Sequence, residues 1–227
     1  MNMKANYHVH EDMYVQARKE GWEGWGGNER ISQAILVQRF IELEGAPTFG
    51  KLLEVGCGEG HHCRAFFKLG FEVTGIDISP TAISWAKEKA RDTAISWAKE
   101  KARDTGNQGV FYVADLTEKT LEIPEIYDVV IDGNCLHCII GEDRNTFLGH
   151  IYNSLVENGV FFVSSLCAKD SNSYEITKND HVYRHVSSQQ SLITELEQSG
   201  FRVVTANVYE RDEINHITIH AVKVVYS

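Results

Sequence analysis

Short apolar segments alternate with helical segments along most of this chain, and no other feature restricts its fold as strongly. The segments typical of β-strands are 51–55, 72–77, 110–114, 127–132 and 159–165. The helical stretches His62–Leu69 and Arg144–Leu155 lie between them. Strand–helix alternation of this kind predicts an α/β fold with a doubly wound, parallel sheet. Ligands of such sheets bind beyond the carboxyl ends of the strands, so the loops that follow the strands are candidate sites.

The C-terminal part of the chain follows a different pattern. A helix is predicted at 189–198, beginning after Ser187 or Ser188. Two strands follow at 202–209 and 217–225, and the short connection between them indicates a hairpin. A hairpin places one antiparallel strand within, or at the edge of, an otherwise parallel sheet.

The segment ahead of the first strand, 1–48, is predicted to be a helical cover, with 49–227 forming a single globular domain. A helix is expected at Glu29–Glu44. Trp22 and Trp25 stand among glycines ahead of that helix. Their rings either cover a ligand or pack against the core, and the sequence leaves both alternatives open.

Composition restricts the partners of the protein more than its chemistry. With 227 residues and a hydrophobic fraction of 43%, the chain can bury a substantial core. The net charge of −10 and the lack of a basic stretch disfavour a nucleic-acid partner. No apolar run reaches the ~20 residues that a membrane span requires, and Met1–Glu20 lacks the apolar core of a signal peptide. We therefore expect a cytoplasmic monomer or homodimer with a small-molecule substrate.

The five cysteines predict neither disulfides nor a metal centre. Their number is odd and the chain is not a small secreted one, which indicates free thiols in a reducing compartment. Cys135 and Cys138 have a C-x-x-C spacing, but a zinc site usually needs a second pair of ligands. The run His61-His62-Cys63 would supply that pair only if the fold brought it close. No metal ligand is therefore predicted.

A perfect repeat lies in the helix expected after the second strand. Thr81–Asp92 and Thr93–Asp104 both read TAISWAKEKARD, which indicates a recent or artificial duplication. Ser79 is a suitable N-cap and Pro80 a suitable first helical residue. A repeat of this length leaves a net rotation of about 120°, so the second copy cannot continue the apolar face of the first. We expect the first copy to keep its packing. A protruding helix, a looped-out copy and exchange between two chains remain as alternatives for the duplicated segment.

Three glycines mark the loop after the first strand, Glu54-Val55-Gly56-Cys57-Gly58-Glu59-Gly60. Glycine accepts positive φ angles and lets backbone amides approach a ligand closely. The spacing G-x-G-x-G does not extend to the dinucleotide pattern G-x-G-x-x-G, because His61 stands in the last position. The loop alone indicates only that a ligand contacts the backbone.

A carboxylate stands at the end of each of the next three strands. Asp77 is suited to accept hydrogen bonds from both hydroxyls of a ribose. The alternative role for Asp77 is to cap the next helix, but Ser79 is better placed for that. Asp115 is suited to an exocyclic amine with Leu116 against the ring, and a surface turn is the other interpretation. Asp132 would border the remainder of the ligand.

These motifs together resemble the class I S-adenosylmethionine-dependent methyltransferases, in particular the small-molecule branch. The resemblance extends from about Gly50 to the C-terminus and rests on Leu53–Gly60, Thr74–Ser79, Val113–Leu116 and Tyr127–Asp132. It implies a Rossmann-like methyltransferase fold, with a seven-stranded, mostly parallel sheet and a terminal antiparallel hairpin. It also implies S-adenosylmethionine as cofactor. The duplicated helix departs from the family pattern, which has one helix of ordinary length.

The resemblance assigns roles to individual residues. Those implied to contact the cofactor are Glu54, Gly56, Cys57, Gly58, Asp77, Ile78, Ala114, Asp115, Leu116 and Asp132. The glycines would lie against the methionine part, and Glu54 would hold the loop or bind the amino group. Asp77 would bind the ribose, with Ile78 against the adenine, and Asp115 would bind the adenine amine.

Methyl transfer from a sulfonium is an in-line displacement, for which an enzyme mainly supplies alignment. A hydroxyl or amine acceptor also needs a base. His137 is the best-placed candidate, with a structural role as the alternative. The acceptor is expected to contact Trp22, Trp25, Asn134 and Arg184. Arg184, in the long connection after the fifth strand, either meets an acidic substrate or is exposed at the surface.

Two other functions stay open. A nicotinamide-dependent oxidoreductase would need the missing glycine and usually a larger substrate domain. A protein of the methyltransferase fold that binds the nucleoside without catalysis would have the same loop and the same Asp77. Binding of S-adenosylmethionine against NADH separates the first alternative, and cofactor turnover separates the second.

Overall fold

The computed structural model describes residues 5–25, 35–101, 109–178 and 180–225, of which 93–101 are described by their backbone alone. Its helices are α1 Val9–Lys19, α2 Ile35–Ile41, α3 His61–Leu69, α4 Pro80–Lys101, α5 Asp143–Ser154 and α6 Gln189–Gln198. Its strands are β1 Lys51–Val55, β2 Glu72–Asp77, β3 Val110–Val113, β4 Tyr127–Gly133, β5 Leu155–Cys167, β6 Tyr174–Lys178, β7 His181–Val186, β8 Phe201–Tyr209 and β9 Asn215–Lys223. A short 3₁₀ helix lies at Leu136–Cys138.

Seven strands form one sheet in the order β3-β2-β1-β4-β5-β9-β8. β2 is parallel to both β1 and β3, and β4 is parallel to β5. β9 is antiparallel to β5 and to β8, so it is the inserted antiparallel strand of the terminal hairpin. The predicted fold class, a doubly wound and mostly parallel sheet with an antiparallel hairpin, is confirmed.

The chain divides into two compact units. The N-terminal unit is His8–Ala114, and the C-terminal unit is Asp115–Ser227 together with Met1–Tyr7. The domain boundaries proposed from the sequence, 1–48 and 49–227, stay a prediction. No helix within the described residues combines the length and the apolar character that crossing a membrane requires.

Helix α1, in the N-terminal unit, lies in the segment predicted to be a helical cover, but no helix was assigned to its residues from the sequence. It buries only Tyr14 and Ala17, which pack with Ala82 and Trp85 of α4. Trp25 is half-buried against the same cluster, whereas Trp22 is 42% exposed. The core-packing alternative therefore holds for one of the two rings.

Helix α4 is continuous from Pro80 to Lys101 and so runs from the first copy of the repeat into the second. The first copy buries Ile83, Ala86 and Ala90, the face expected to pack. Ser79 is the N-cap, since its Oγ accepts a hydrogen bond from the amide of Ala82 at 2.9 Å. The corresponding apolar residues of the second copy, Ile95, Ala98 and Ala102, lie outside the described side chains. Its packing stays a prediction.

The helix predicted at Glu29–Glu44 is described only from residue 35, and it ends at Ile41. Residues 29–34 lie outside the described part of the chain, as do Gly26, Gly27 and Asn28 in the glycine-rich stretch. After Ile41 the backbone tightens into a turn, in which the Leu43 amide donates to the Phe40 carbonyl at 3.1 Å, and Gly45 follows at φ 74°.

Two corrections concern the C-terminal unit. β5 begins at Leu155, ahead of the predicted start at Gly159. The Asn158-Gly159 pair is typical of a turn, but here Asn158 takes φ 59° inside the strand and the strand continues through it. The long connection predicted after β5 contains the hairpin β6–β7, whose strands are antiparallel. Arg184 therefore lies in a strand and not in a surface loop.

Candidate functional site

The glycine loop between β1 and α3 takes the backbone conformation that its sequence predicts. Gly56, Gly58 and Gly60 have φ angles of 65°, 53° and 72°, all in the left-handed region. The amide of Cys57 donates to the Ile76 carbonyl at 3.0 Å, which ties the loop to β2. These angles exclude most other residues, so the loop presents bare backbone at the carboxyl end of β1.

Gly58 shows how close this approach is. A Cβ atom at this position would collide with the hydroxyl of Tyr14, which α1 places against the loop. Burial raises the pKa of Tyr14 well above its ordinary value, and the charge of Asp77 raises it further. Sequence reasoning missed Tyr14; its only signal was the spacing to Ala17, in a segment that also holds Met13 and Val15.

Glu54 is buried within the N-terminal unit, and both of its oxygens are engaged by α3. Oε2 accepts hydrogen bonds from the amide of Cys63 at 3.0 Å and from its thiol at 2.8 Å. Oε1 accepts a hydrogen bond from Nδ1 of His62 at 2.9 Å. Burial opposes a charge on His62, but Glu54 raises its pKa above the ordinary value. Of the two roles expected for Glu54, these contacts favour holding the loop.

Asp77 joins the glycine loop to the start of α4. Its Oδ2 accepts a hydrogen bond from the amide of Gly58, and its Oδ1 accepts one from the amide of Ser79, both at 2.9 Å. Burial raises the pKa of Asp77 to about 6, although both of these hydrogen bonds lower it. Each carboxylate oxygen has a second lone pair, so the group can still accept two hydroxyls. Ile78 beside it is half-buried.

Glu11, an acid in the first turn of α1, anchors this helix to α4. Glu11 accepts hydrogen bonds from the Ser79 hydroxyl at 2.5 Å, the Thr81 amide at 3.1 Å and the Thr81 hydroxyl at 2.5 Å. Partial burial opposes its charge, but these bonds lower its pKa below the ordinary value. Glu11 was also missed, because its only sequence signal was its position among other acids.

The end of β3 carries the residues assigned to the adenine. The amide of Ala114 donates to the Asp77 carbonyl at 3.0 Å. In the C-terminal unit, Asp115 is half-buried and accepts from the amide and hydroxyl of Thr117 through Oδ1, at 2.8 and 2.7 Å. Leu116 is buried. Asp115 thus forms the turn that was its alternative interpretation, and no described residue donates a hydrogen bond to its Oδ2.

The end of β4 is organised by two side chains. Asp132 is fully buried, and its Oδ1 accepts from the amides of Cys135 and Leu136 at 2.6 and 3.1 Å. Asn134 has a φ of 72° and accepts a hydrogen bond from Nε2 of His216, on β9, at 2.8 Å. The segment after β4 therefore has a fixed, partly left-handed conformation. His216 was not predicted from the sequence.

His137 lies in the 3₁₀ helix and is buried. Its Nδ1 accepts a hydrogen bond from the amide of Leu166 at 3.3 Å and lies 3.4 Å from the Ser165 hydroxyl. An acceptor at Nδ1 places the proton on Nε2. Contacts of this kind favour the structural role that was the alternative for this residue.

Two further residues fix the segment that carries His137. Arg144 donates to the carbonyls of Leu136 and Ile139 at 2.8 and 3.0 Å, and it pairs through two nitrogens with Glu195 at 2.6 Å each. Tyr7 accepts from the amide of Ile140 and donates to Asp143. Neither was singled out in the sequence, since nothing in their spacing connects them to β4.

The sequence of 50–216 matches a family of proteins described as a methyltransferase domain. The chain belongs to this methyltransferase-domain family. It is 28% identical over 116 residues to a ubiquinone biosynthesis O-methyltransferase of Mesorhizobium japonicum. That match covers 51% of this chain and 41% of the relative, so the chain matches less than half the length of that protein.

Solved structures share the fold of this methyltransferase domain. One is the 1,6-didemethyltoxoflavin-N1-methyltransferase of Burkholderia thailandensis, with bound 1,6-didemethyltoxoflavin and S-adenosylhomocysteine. It has a TM-score of 0.69 and 20% identity, with 98% of this chain and 92% of that chain covered. Another is the [4+2]-cyclase SpnF, with a TM-score of 0.70 and 15% identity, covering 100% and 99%. At these identities the likeness concerns the fold alone.

Proposed function

We propose that this protein transfers a methyl group from S-adenosylmethionine to a small-molecule acceptor by in-line displacement. The observation that carries the proposal is the hydrogen bond that the amide of Gly58 donates to the buried carboxylate of Asp77. This bond joins the left-handed glycine loop after β1 to the end of the adjacent strand β2. Membership of the methyltransferase-domain family supports the same reaction. The sulfonium methyl group of the bound cofactor would supply the electrophile.

The residues of the N-terminal unit fit this cofactor. Gly56, Cys57 and Gly58 bring the backbone to the carboxyl end of β1, suited to the methionine part, with the Tyr14 hydroxyl against Gly58. Asp77 keeps lone pairs for the ribose hydroxyls while its present partners fix its orientation. Ile78 is half-buried and suited to the adenine. Glu54 would act through α3 and the loop, as its hydrogen bonds indicate.

The residues of the C-terminal unit complete the proposal. Asp115 and Leu116 would bind the adenine, and Asp132 would hold the segment that borders the methionine part. Asn134 would face the acceptor, oriented by His216. His137 is proposed from the sequence as base for a hydroxyl or amine acceptor; its hydrogen bond from Leu166 supports a positioning role instead. Trp22, which is exposed, is better suited than Trp25 to contact an acceptor.

Calorimetry with S-adenosylmethionine, S-adenosylhomocysteine and NADH tests the cofactor. We expect the first two to bind and NADH not to bind. Binding of NADH in their place would overturn the proposal and favour the oxidoreductase.

Turnover of S-adenosylmethionine against thiols, amines, phenols and carboxylates tests the reaction. Formation of S-adenosylhomocysteine with one acceptor class supports methyl transfer. Tight cofactor binding without turnover across the panel would favour the nucleoside-binding alternative. The cyclase among the structural neighbours shows that this fold is not limited to one reaction.

A further inference from the structure

Strand β7 buries an arginine. Val182, Arg184 and Val186 alternate along the strand and are all buried, with Arg184 only 6% exposed. Arg184 lies opposite Ile176 of β6 in a sheet of two strands. An aliphatic residue would suit such a position, and a guanidinium, which is charged at every physiological pH, is costly there.

The partners of Arg184 come from its own neighbour. Nη1 donates to the carbonyl of Tyr183 at 2.9 Å, and Nη2 donates to the Tyr183 hydroxyl at 2.6 Å. The guanidinium carbon lies 3.6 Å from the centre of the Tyr183 ring. A guanidinium has five N–H donors, so donors remain beyond these two bonds. Among the described residues, no carboxylate forms an ion pair with Arg184.

The place of β7 in the C-terminal unit points to a ligand. β7 packs on the 3₁₀ helix Leu136–Cys138, which follows β4. The residue after β7, Ser187, bridges to Cys167, the last residue of β5. The hairpin thus lies at the carboxyl ends of β4 and β5, the edge of an open α/β sheet where ligands bind.

We propose that Arg184 and Tyr183 form an anion subsite that binds a carboxylate of the methyl acceptor. This inference rests on the proposed methyl transfer and names the acceptor class: a small molecule with a carboxylate apart from the methylated atom. A guanidinium fork matches the two oxygens of a carboxylate, and stacking on Tyr183 fixes the plane of that fork. The bound anion would supply the countercharge that no described carboxylate provides.

A carboxylate is also present in the methionine part of S-adenosylmethionine, so the experiment separates the two sources. Binding of benzoate and of neutral benzamide is measured by calorimetry, with and without saturating S-adenosylhomocysteine. The variants are R184M and R184K, with R202M as the matched control, because Arg202 is an exposed arginine of the same unit. Affinity for S-adenosylhomocysteine is measured for each variant.

We expect the wild type to bind benzoate at least about tenfold more tightly than benzamide, since charge-assisted hydrogen bonds are lost with the amide. R184M should lose this preference, R184K should keep part of it, and R202M should keep all of it. Affinity for S-adenosylhomocysteine should stay within about twofold in every variant. A large loss of that affinity in R184M would assign Arg184 to the cofactor carboxylate and overturn the proposal.

Thermal unfolding supplies a test that does not depend on turnover. Without anion, R184M should melt no lower than the wild type, because it removes a buried charge that no described carboxylate pairs with and so relieves a desolvation cost. Benzoate should raise the melting temperature of the wild type and not that of R184M. A strong loss of stability in R184M would mark Arg184 as structural.

Equal binding of benzoate and benzamide by the wild type, or binding of neither, would also overturn the subsite. If S-adenosylhomocysteine fails to bind the wild type, the proposed function fails. The preference for benzoate over benzamide, measured in the absence of S-adenosylhomocysteine, then still tests whether Arg184 binds an anion.

Discussion

Helix α5 and the hairpin β6–β7 each bury an arginine, and the two arginines differ in their partners. Arg144 is 5% exposed and Arg184 is 6% exposed. Arg144 pairs with Glu195 through two nitrogens and donates to two backbone carbonyls. Within the part of the chain that the structure describes, Arg184 hydrogen-bonds only to Tyr183. Equal burial with unequal partners agrees with a structural role for Arg144 and with the anion subsite proposed at Arg184.

The glycine loop of the N-terminal unit is an intermediate case. Asp77 has hydrogen-bond partners on both oxygens, so it serves the fold, yet burial raises its pKa to about 6. Because this pKa brings the carboxylate close to its protonated form, additional hydrogen-bond donors would stabilise the charged form. We infer that Asp77 both fixes the loop and is improved by a ligand with hydroxyl groups.

Replacement of Arg144 should have the largest effect. R144M leaves Glu195 and two backbone carbonyls without their donor, and removal of one partner of a buried pair costs about 3–5 kcal/mol of unfolding free energy. Glu195 is partly exposed, with 22% of its side chain accessible, which places the expected value at the lower end. Urea unfolding of R144M beside R184M checks this. Equal losses in the two variants would break the comparison between the two arginines.

Replacement of Asp77 should weaken cofactor binding next most strongly. D77N loses two charge-assisted hydrogen bonds to a ribose, which corresponds to about 10- to 100-fold in the dissociation constant of S-adenosylhomocysteine. E72Q is the matched control, because Glu72 lies at the exposed start of the same strand. Calorimetry decides; an unchanged affinity in D77N would limit Asp77 to its structural bonds.

The pH dependence of Asp77 should have opposite signs for stability and for cofactor affinity. Its folded pKa of about 6 exceeds the ordinary 3.8, so its contribution to the unfolding free energy is complete below 3.8 and is lost as pH rises through about 6. Affinity for S-adenosylhomocysteine should instead fall as pH drops below about 6, by about tenfold at one unit lower.

His62 is a second group with a raised pKa, because the opposing effect of burial is outweighed by Glu54. The variant D77N separates the titration of Asp77 from that of His62. Affinity measured between pH 5 and 8 should be nearly flat in D77N and should decline at low pH in the wild type. A decline of the same size in both proteins would assign the titration to another group.

The strands and the glycine loop could be predicted because each depends on local sequence. β1 and β2 have the predicted bounds, and Gly56, Gly58 and Gly60 have the left-handed angles that their residue type favours. Periodicity identifies a strand when most of its residues are buried, as in both of these strands.

The hairpin β6–β7 and helix α1 could not be predicted in the same way. β6 is almost wholly exposed, so it lacks an apolar pattern. α1 is stabilised largely by contacts that Tyr14 and Glu11 make with α4, and α4 is distant from α1 in the sequence. The burial of Arg184 was unpredictable for a related reason, since a strand that buries an arginine reads as a polar loop.

The repeat in α4 supplies the smallest expected effect and the sharpest test of the N-terminal unit. Because the two copies are identical, deletion of either one gives the same protein, so the variant does not depend on which copy is original. The first copy already contributes the capping contacts of Ser79 and Thr81 and the buried Ile83. We therefore expect the deletion to change affinity for S-adenosylhomocysteine by less than about twofold, as sites without shared contacts behave independently. Light scattering on both proteins tests chain exchange: a dimer that becomes a monomer on deletion would assign the second copy to the interface. A large loss of affinity in a folded deletion variant would show that the second copy supports the loop at Asp77, and the comparison would then have to include it.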